Sequence, residues 1–512
     1  MESPLGAAAI AVSALVAAGS VPARALDVKE KSLEGTENAA GLTDKQLAIQ
    51  RWFAELTFLN EGGDGWEGWY VHENQLGLES IRYSLAFLGY AAAAMAYKTP
   101  AYREATARIL DDSVRRMVEK RVWDFIEVYW KDDPHFPDPV AWENIMYSGH
   151  LAQLIALYES ITGDMKYSTE GWDFVWDEET AIHYTAEKLM KAMYDQVALE
   201  PIGGISCEPD MVFIICNDHP HNAFALYDAI HGTKFTALDE KWRAWMEENG
   251  RLPKEKGKEY LKITYMRDRG VWATGFGTPG SDGWALAWMY PWTSNPRFVC
   301  EGWETMRDSR LWRVADGGGI YYRSTTVAQM AGIKDTSGTS FYPLVESQCL
   351  RSGEGKAREV FQYFENLAGT FADWDGDGMR ESYYYDTEPD TRLWVTANLA
   401  AAMVTEGDSL REMYREPFFR LHEGEPYVAS VAYPDVTVKK AEFFRDSDTL
   451  RFTVLRAGGE PGGETEIVCG NVRGVKALTR NGAPYGNYAA GGGAVRIKTP
   501  VSGEVEFEMV VK

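Results

Sequence analysis

The hydrophobic pattern of this chain changes period once, near residue 425, and that change limits the folds open to it. Before it, apolar residues recur close to helical spacing: Leu47, Trp52, Phe53, Leu56 and Leu59 follow Thr43-Asp44-Lys45-Gln46, which reads as a capping box. Further helices are expected over Leu78 to Tyr97, Ala101 to Trp130 with a break, Ala141 to Thr162, Glu178 to Leu199, Asn222 to His231, Val327 to Ala331, Lys356 to Phe364 and Asp390 to Glu406. The connections are rich in Gly and aromatic residues, as from Gly275-Phe276-Gly277 through Trp292. After residue 425 the period is two. Leu450, Phe452 and Val454 alternate with polar residues, as do Val495 and Ile497, and Val505, Phe507, Met509 and Val511. Long helices joined by wide aromatic loops suggest a toroid of paired helices with its site at one rim, followed by a small antiparallel β domain.

A division follows: residues 1–25 as an export signal, 26–42 as a polar linker, 43–425 as the helical body and 426–512 as a β-sandwich-like domain. The signal rests on the apolar run Ala7 to Ala18 followed by Ala23-Arg24-Ala25, an A-x-A cleavage pattern. Periplasmic or secreted location is expected, with an uncleaved N-terminal anchor as the alternative. No later segment has the length of a membrane span, so none is expected in the mature protein. The net charge of −24 repels phosphate backbones and anionic membrane surfaces, and no basic patch offsets it, which sets nucleic acid aside. Five cysteines in so long a chain are no disulfide scaffold, and their odd number leaves at least one thiol unbridged.

Three segments gather chemistry. The run Gly203 to His221 places Cys207 beside Glu208 and Asp210, and Cys216 beside Asn217, Asp218, His219 and His221. It admits inert core cysteines, a Cys207–Cys216 disulfide, a zinc site with His219 and His221 (although Cys-x8-Cys-x2-His-x-His fits no standard spacing), or thiols working in a pocket. The run Glu61 to Tyr70 carries glycines that allow sharp turns and would present Asp64, Glu67 and Tyr70 to a cavity, or it is an ordinary capped turn. The third, Asn144 to His150, falls on an expected helix, where Met146 and His150 share a face and His150 alone reads equally as a core residue. Asp373-Trp374-Asp375-Gly376-Asp377-Gly378 begins like a calcium loop, but position twelve is Tyr384, so it is no EF-hand.

Together these segments resemble the linalool dehydratase/isomerase family over roughly residues 45 to 425. The marks are an Asp followed six residues later by a Tyr, then Met and His four apart, then two Cys nine apart, in that order. The resemblance implies an (α/α)6 barrel, a site without cofactor or metal, a small apolar alcohol or alkene as substrate, and a homo-oligomer (a pentamer) whose subunits help close each other's pockets. Carried over, the catalytic residues are Asp64, Tyr70, His150, Cys207 and Cys216. Met146, Trp66, Phe213, Tyr83 and Tyr90 form the pocket wall. Asp64, Tyr70 and His150 would relay protons at the hydroxyl and the two thiols would shuttle one across the alkene. Two features depart from the family: no cysteine precedes Cys207, and the C-terminal β domain is additional. The competing readings are a glycoside hydrolase on the same toroid, using carboxylates such as Asp64 and Glu301 with Trp platforms, and a catalytically silent ligand-binding barrel.

Overall fold

The computed structural model describes residues 41–60, 62–71, 75, 80–252, 260–273, 279–324, 334–350, 354–372, 382–458 and 462–512. The expected signal, nearly all of the linker, the Gly275-Phe276-Gly277 connection, the Val327–Ala331 helix and the Asp373–Gly378 turn lie outside these residues.

The first helix, α1 (Asp44–Leu56), begins as its sequence requires. Thr43 Oγ1 accepts from the Gln46 N–H at 3.3 Å, and Gln46 Oε1 accepts from the Thr43 N–H at 2.8 Å, so two end donors are satisfied reciprocally. The long helices that follow are α2 (Ile81–Ala96), α3 (Glu104–Met117), α4 (Ile145–Thr162), α5 (Ala186–Leu199), α6 (Asp218–His231), α7 (Asp239–Asn249), α8 (Pro279–Trp292), α9 (Pro296–Arg307), α10 (Tyr342–Cys349), α11 (Ala357–Ala368) and α12 (Arg392–Val404). Their packing makes a closed circuit: α2 lies on α4, α4 on α6, α6 on α8, α8 on α10, α10 on α12, and α12 returns to α2. The intervening helices pack outside this circuit, α3, α5 and α9 each against both of its neighbours in it and α11 against α10. Every side chain of α2 is buried, and of α4 all but the last, which is why neither shows an amphipathic stripe.

Two expectations need correction. The stretch leading to Trp292 is not all connection, because Pro279–Trp292 is a helix. Its Trp284, Ala285, Leu286, Ala287, Trp288, Met289 and Tyr290 are all buried, so packing on every side overrides the poor propensity of Gly283 and Pro291 and erases the periodicity that would have revealed it. The region from Glu178 begins as a hairpin, with Trp172–Val175 paired to Ala181–Tyr184, and helix starts only at Ala186 behind the Thr185 cap.

C-terminal to the helices the chain is antiparallel sheet. One sheet runs Tyr427–Ser430, Glu464–Gly470, Ala494–Pro500, Tyr488–Gly491; the other runs Val436–Phe444, Thr449–Arg456, Glu504–Val511, Val475–Arg480, Ala483–Pro484. Val505, Phe507, Met509 and Val511 point inward, with the Phe507 ring stacked on its cross-strand partner Phe452 at 5.0 Å. This core extends onto Ala101, Tyr102 and Ala105 of the helical part. Backbone bonds from the Ala101 N–H to Ala441 O (3.0 Å) and from the Val428 N–H to Ala101 O (2.7 Å) fix the junction. No helix of the described residues is long and apolar enough to cross a membrane.

Candidate active site

Inside the helical circuit, α2 contributes Tyr83, Phe87 and Tyr90, four and three residues apart and therefore on one face. The Phe87 ring occupies the middle, with Trp284 at 5.2 Å, Phe341 at 5.7 Å, His150 at 5.8 Å, Trp394 at 5.9 Å and Trp288 at 6.0 Å between centroids. Opposite α2, Gly149 lets α4 and α6 meet: a Cβ there would lie 2.9 Å from Pro220 Cδ. That close approach brings His150 of α4 and His219 of α6 to 3.8 Å between ring centroids.

The two imidazoles are held differently. His219 Nδ1 lies 2.7 Å from Gln153 Oε1, an atom that only accepts, so Nδ1 carries the ring proton. Its Nε2 accepts from the Trp284 indole N–H at 3.2 Å, and the Gln153 amide N–H donates onward to the Tyr414 hydroxyl. Every hydrogen-bonding position of His219 is thus used. His150 Nδ1 sits 2.8 Å from the Tyr90 hydroxyl, whereas its Nε2 is buried with no hydrogen-bond partner among the described residues. Burial holds both rings neutral, pushing His219 down to about 3 and His150 well below its ordinary value, with His219 adding to the effect on His150. Burial likewise keeps the Tyr90 phenol protonated. A buried hydroxyl satisfies its proton by donating to Nδ1, which leaves the His150 proton on the unpartnered Nε2.

The thiols belong to the same cluster. Asn217 clamps the strand entry, accepting from the Ile205 N–H at 2.8 Å and donating to Ile205 O at 3.0 Å, while the Cys207 N–H donates to Met211 O at 2.8 Å. Held this way, Cys207 and Cys216 are neighbours within electrostatic reach of each other. Burial, then the neighbouring Cys216 side chain, pushes the Cys207 thiol well up. Tyr83 lies within the electrostatic reach of Cys216, Glu208, Cys207 and Arg82, and its ring stands edge-on to His150 at 5.3 Å and to Trp284 at 5.3 Å. Tyr83 therefore joins the thiol side to the imidazole side.

Two further residues, Arg82 and Glu208, were not named as site residues by the sequence reading. Arg82 is 1% exposed; its guanidinium donates to Gln75 O at 2.6 Å, reaches Met146 Sδ at 3.5 Å and lies 4.3 Å from the Phe125 centroid. Glu208 is buried beside it, with Oε2 unpartnered among the described residues. Burial raises the Glu208 carboxyl to about 7, against the opposing pull of Arg82. It is a buried acid able to exchange its proton near neutrality, the property acid/base catalysis needs. The available signal was its place next to Cys207. Arg82 and Gln153 gave none, since a charge or amide on a helix reads as solvent-facing until its neighbours are known.

The cluster accordingly unites Tyr83, Tyr90, Met146, His150, Cys207 and Cys216, with Phe213 half-buried at its edge. The structure leaves three expected residues outside it within one chain. The Gly-rich turn, with positive φ at Gly63, Gly65 and Gly68, runs over the surface. Asp64 is exposed and paired with Arg121 at 2.8 Å, and that hydrogen bond holds its carboxyl below the usual range. Tyr70 is 43% exposed. Trp66 is buried, but its indole donates to Glu119 Oε2 at 3.0 Å beneath the Arg116 guanidinium, away from the aromatic interior. The Glu301 carboxylate is taken by Arg251 at 2.8 Å and Arg297 at 3.2 Å. Of the residues in the zinc alternative, His221 binds Asp239 through Nδ1 at 2.6 Å, and among the described residues no three His, Cys, Asp or Glu are grouped as metal ligands would be.

The sequence model of the linalool dehydratase/isomerase family matches residues 82–375, a span that begins at Arg82, leaves out Asp64 and Tyr70, and contains Tyr83, Tyr90, Met146, His150, Cys207, Glu208 and Cys216 but not Trp394. Because the match covers more than half of the chain, this protein belongs to the linalool dehydratase/isomerase family. Among solved structures, an alpha-1,6-mannanase from Salegentibacter sp. is similar over 73% of this chain and 100% of its own, at 12% identity and a TM-score of 0.39. Endoglucanase CelQ from Clostridium thermocellum, complexed with cellotriose, is similar over 92% of each chain, at 11% identity and a TM-score of 0.35.

Proposed function

We propose that this protein is a cofactor-independent hydro-lyase and isomerase that adds or removes water on an alkenol of the linalool or geraniol type, within an (α/α)6 barrel. The observation that carries the reading is one aromatic cluster, most of it inside the span of the family match, with two neighbouring thiols on one side and an imidazole nitrogen without a partner among the described residues on the other. The closed circuit of inner helices, with outer helices between them, supports the barrel.

Dehydration of an allylic tertiary alcohol moves one proton to the departing hydroxyl and removes one from a neighbouring carbon, giving a diene and water. The acid must be protonated near neutrality, and the cavity must tolerate developing positive charge on carbon. Glu208 meets the first need at the thiol side, and His150 Nε2–H supplies a donor at the other. The faces of Phe87, Trp284 and Trp288 and the Met146 sulfur supply the second. In the isomerisation the protonated hydroxyl leaves as water with its C–O bond, the double bond shifts, and the water forms a new C–O bond at the other allylic carbon and returns its extra proton to the acid. The thiols, protonated at rest, give a proton and take it back in the course of this exchange. Asp64 and Tyr70 act where subunits meet in a homo-oligomer, their exposed turn closing the pocket of a second copy.

Incubation with linalool, geraniol and methylbutenol, in parallel with xylo- and gluco-oligosaccharides, tests the reading. Interconversion of the alcohols or release of a diene is expected. Cleavage of an oligosaccharide with every alkenol untouched would replace it with a glycosidase.

A further inference from the structure

A second pair of sulfurs lies apart from the cluster. Cys300, in the middle of α9, and Cys349, the last residue of α10, bring their Sγ atoms to 2.6 Å across 49 residues of sequence. Both sit on helices that pack together, so backbone geometry, not a loose loop, sets the approach. We infer that Cys300 and Cys349 form a disulfide pinning outer helix α9 to inner helix α10, while Cys207, Cys216 and Cys469 remain thiols.

The two sulfur pairs differ in access. Disulfides form by attack of a thiolate on an oxidant, so the attacking sulfur must ionise and be reached. Cys300 is half-buried on the outer layer, where a soluble oxidant can reach it. Cys207 is 1% exposed and Cys216 3%, and burial holds the Cys207 proton on its sulfur. Cys469 lies in the core of the β sandwich, its thiol pushed up to about 12 by burial, with no second cysteine among the described residues of that core. The reaction balances with a low-molecular-weight disulfide as oxidant. The Cys300 thiolate displaces one half as a thiol and forms a mixed disulfide; Cys349 then attacks Cys300 Sγ and releases the other half. Two protein thiols are oxidised and one external disulfide becomes two thiols. The segment so anchored matters to the interior, because Phe341, just before α10, stacks on Trp284 at 5.4 Å.

The test uses the full chain, incubated folded with oxidised glutathione, then denatured with N-ethylmaleimide, digested and mapped by mass spectrometry. One cross-linked peptide pair joining Cys300 to Cys349 is expected, with Cys207, Cys216 and Cys469 alkylated. Closing a loop of this length also raises the melting temperature, so Cys300→Ser and Cys349→Ser should each melt roughly 3–8 °C below the oxidised parent and level with it in excess dithiothreitol. Alkylation of both Cys300 and Cys349, separate glutathione adducts on each, a Cys207–Cys216 link in their place, or variants melting with the oxidised parent would each overturn the assignment.

Discussion

Asp64 and Glu208 are both acids in Gly-flanked segments, and the fold treats them in opposite ways. Asp64 lies on a surface turn, where the Arg121 hydrogen bond, then that of the Trp66 N–H, holds its carboxyl low. Glu208 is enclosed beside Cys207, and the loss of water outweighs nearby Arg82 and lifts its carboxyl to about 7. Only the second is a proton donor near neutrality within a single chain. The same contrast holds for the imidazoles, since His219 has both nitrogens engaged and His150 Nε2 has no partner among the described residues.

The contrast is sharpest at His150. Replacing it with Gln keeps a polar group on α4 but removes the ring that Tyr90 orients, and kcat/KM should fall on the order of 10³-fold. A loss of less than tenfold would mean that the partnerless nitrogen is structural. Glu208 tests the electrostatic half. Its folded-state pKa, about 7, exceeds the ordinary 4.5, so its contribution to stability is complete below about pH 4.5 and is lost as pH rises through 7. Denaturant unfolding at pH 5 and pH 8 should show the parent losing roughly 3 kcal/mol relative to Glu208→Gln. The same pH dependence in both proteins would show that Glu208 is not held protonated. Asp64→Asn is the third. If the surface turn serves a neighbouring pocket, turnover should fall about 10²-fold, while the melting temperature barely moves, because an exposed ion pair contributes little. Near-normal turnover would remove Asp64 from the relay and leave Glu208 as the acid.

The parts of the fold that the sequence revealed are those written in local periodicity. The Thr43–Gln46 capping box and the alternation of Val505, Phe507, Met509 and Val511 depend on neighbours within a few residues, and both stand in the structure. Helix α8 was hidden because burial on all sides leaves no polar face. The cluster was legible where a residue sits in a patterned segment, as with Met146, His150, Cys207 and Cys216. It was illegible where long-range packing decides, as with the burial of Arg82, the tautomer of His219, or the exposure of Asp64. A glycine-rich turn bearing an acid looks the same in sequence whether it faces a cavity or solvent.

The central claim is that the two inner thiols do chemistry. Cys207→Ala and Cys216→Ala, each assayed reduced on linalool, geraniol and methylbutenol, test it directly. Each removes one sulfur from a buried site and leaves only a small cavity, so the melting temperature should stay within a few degrees of the parent. Both variants are expected to lose turnover on every alkenol that the parent converts. Full activity in either one would contradict the dehydratase reading of the cluster.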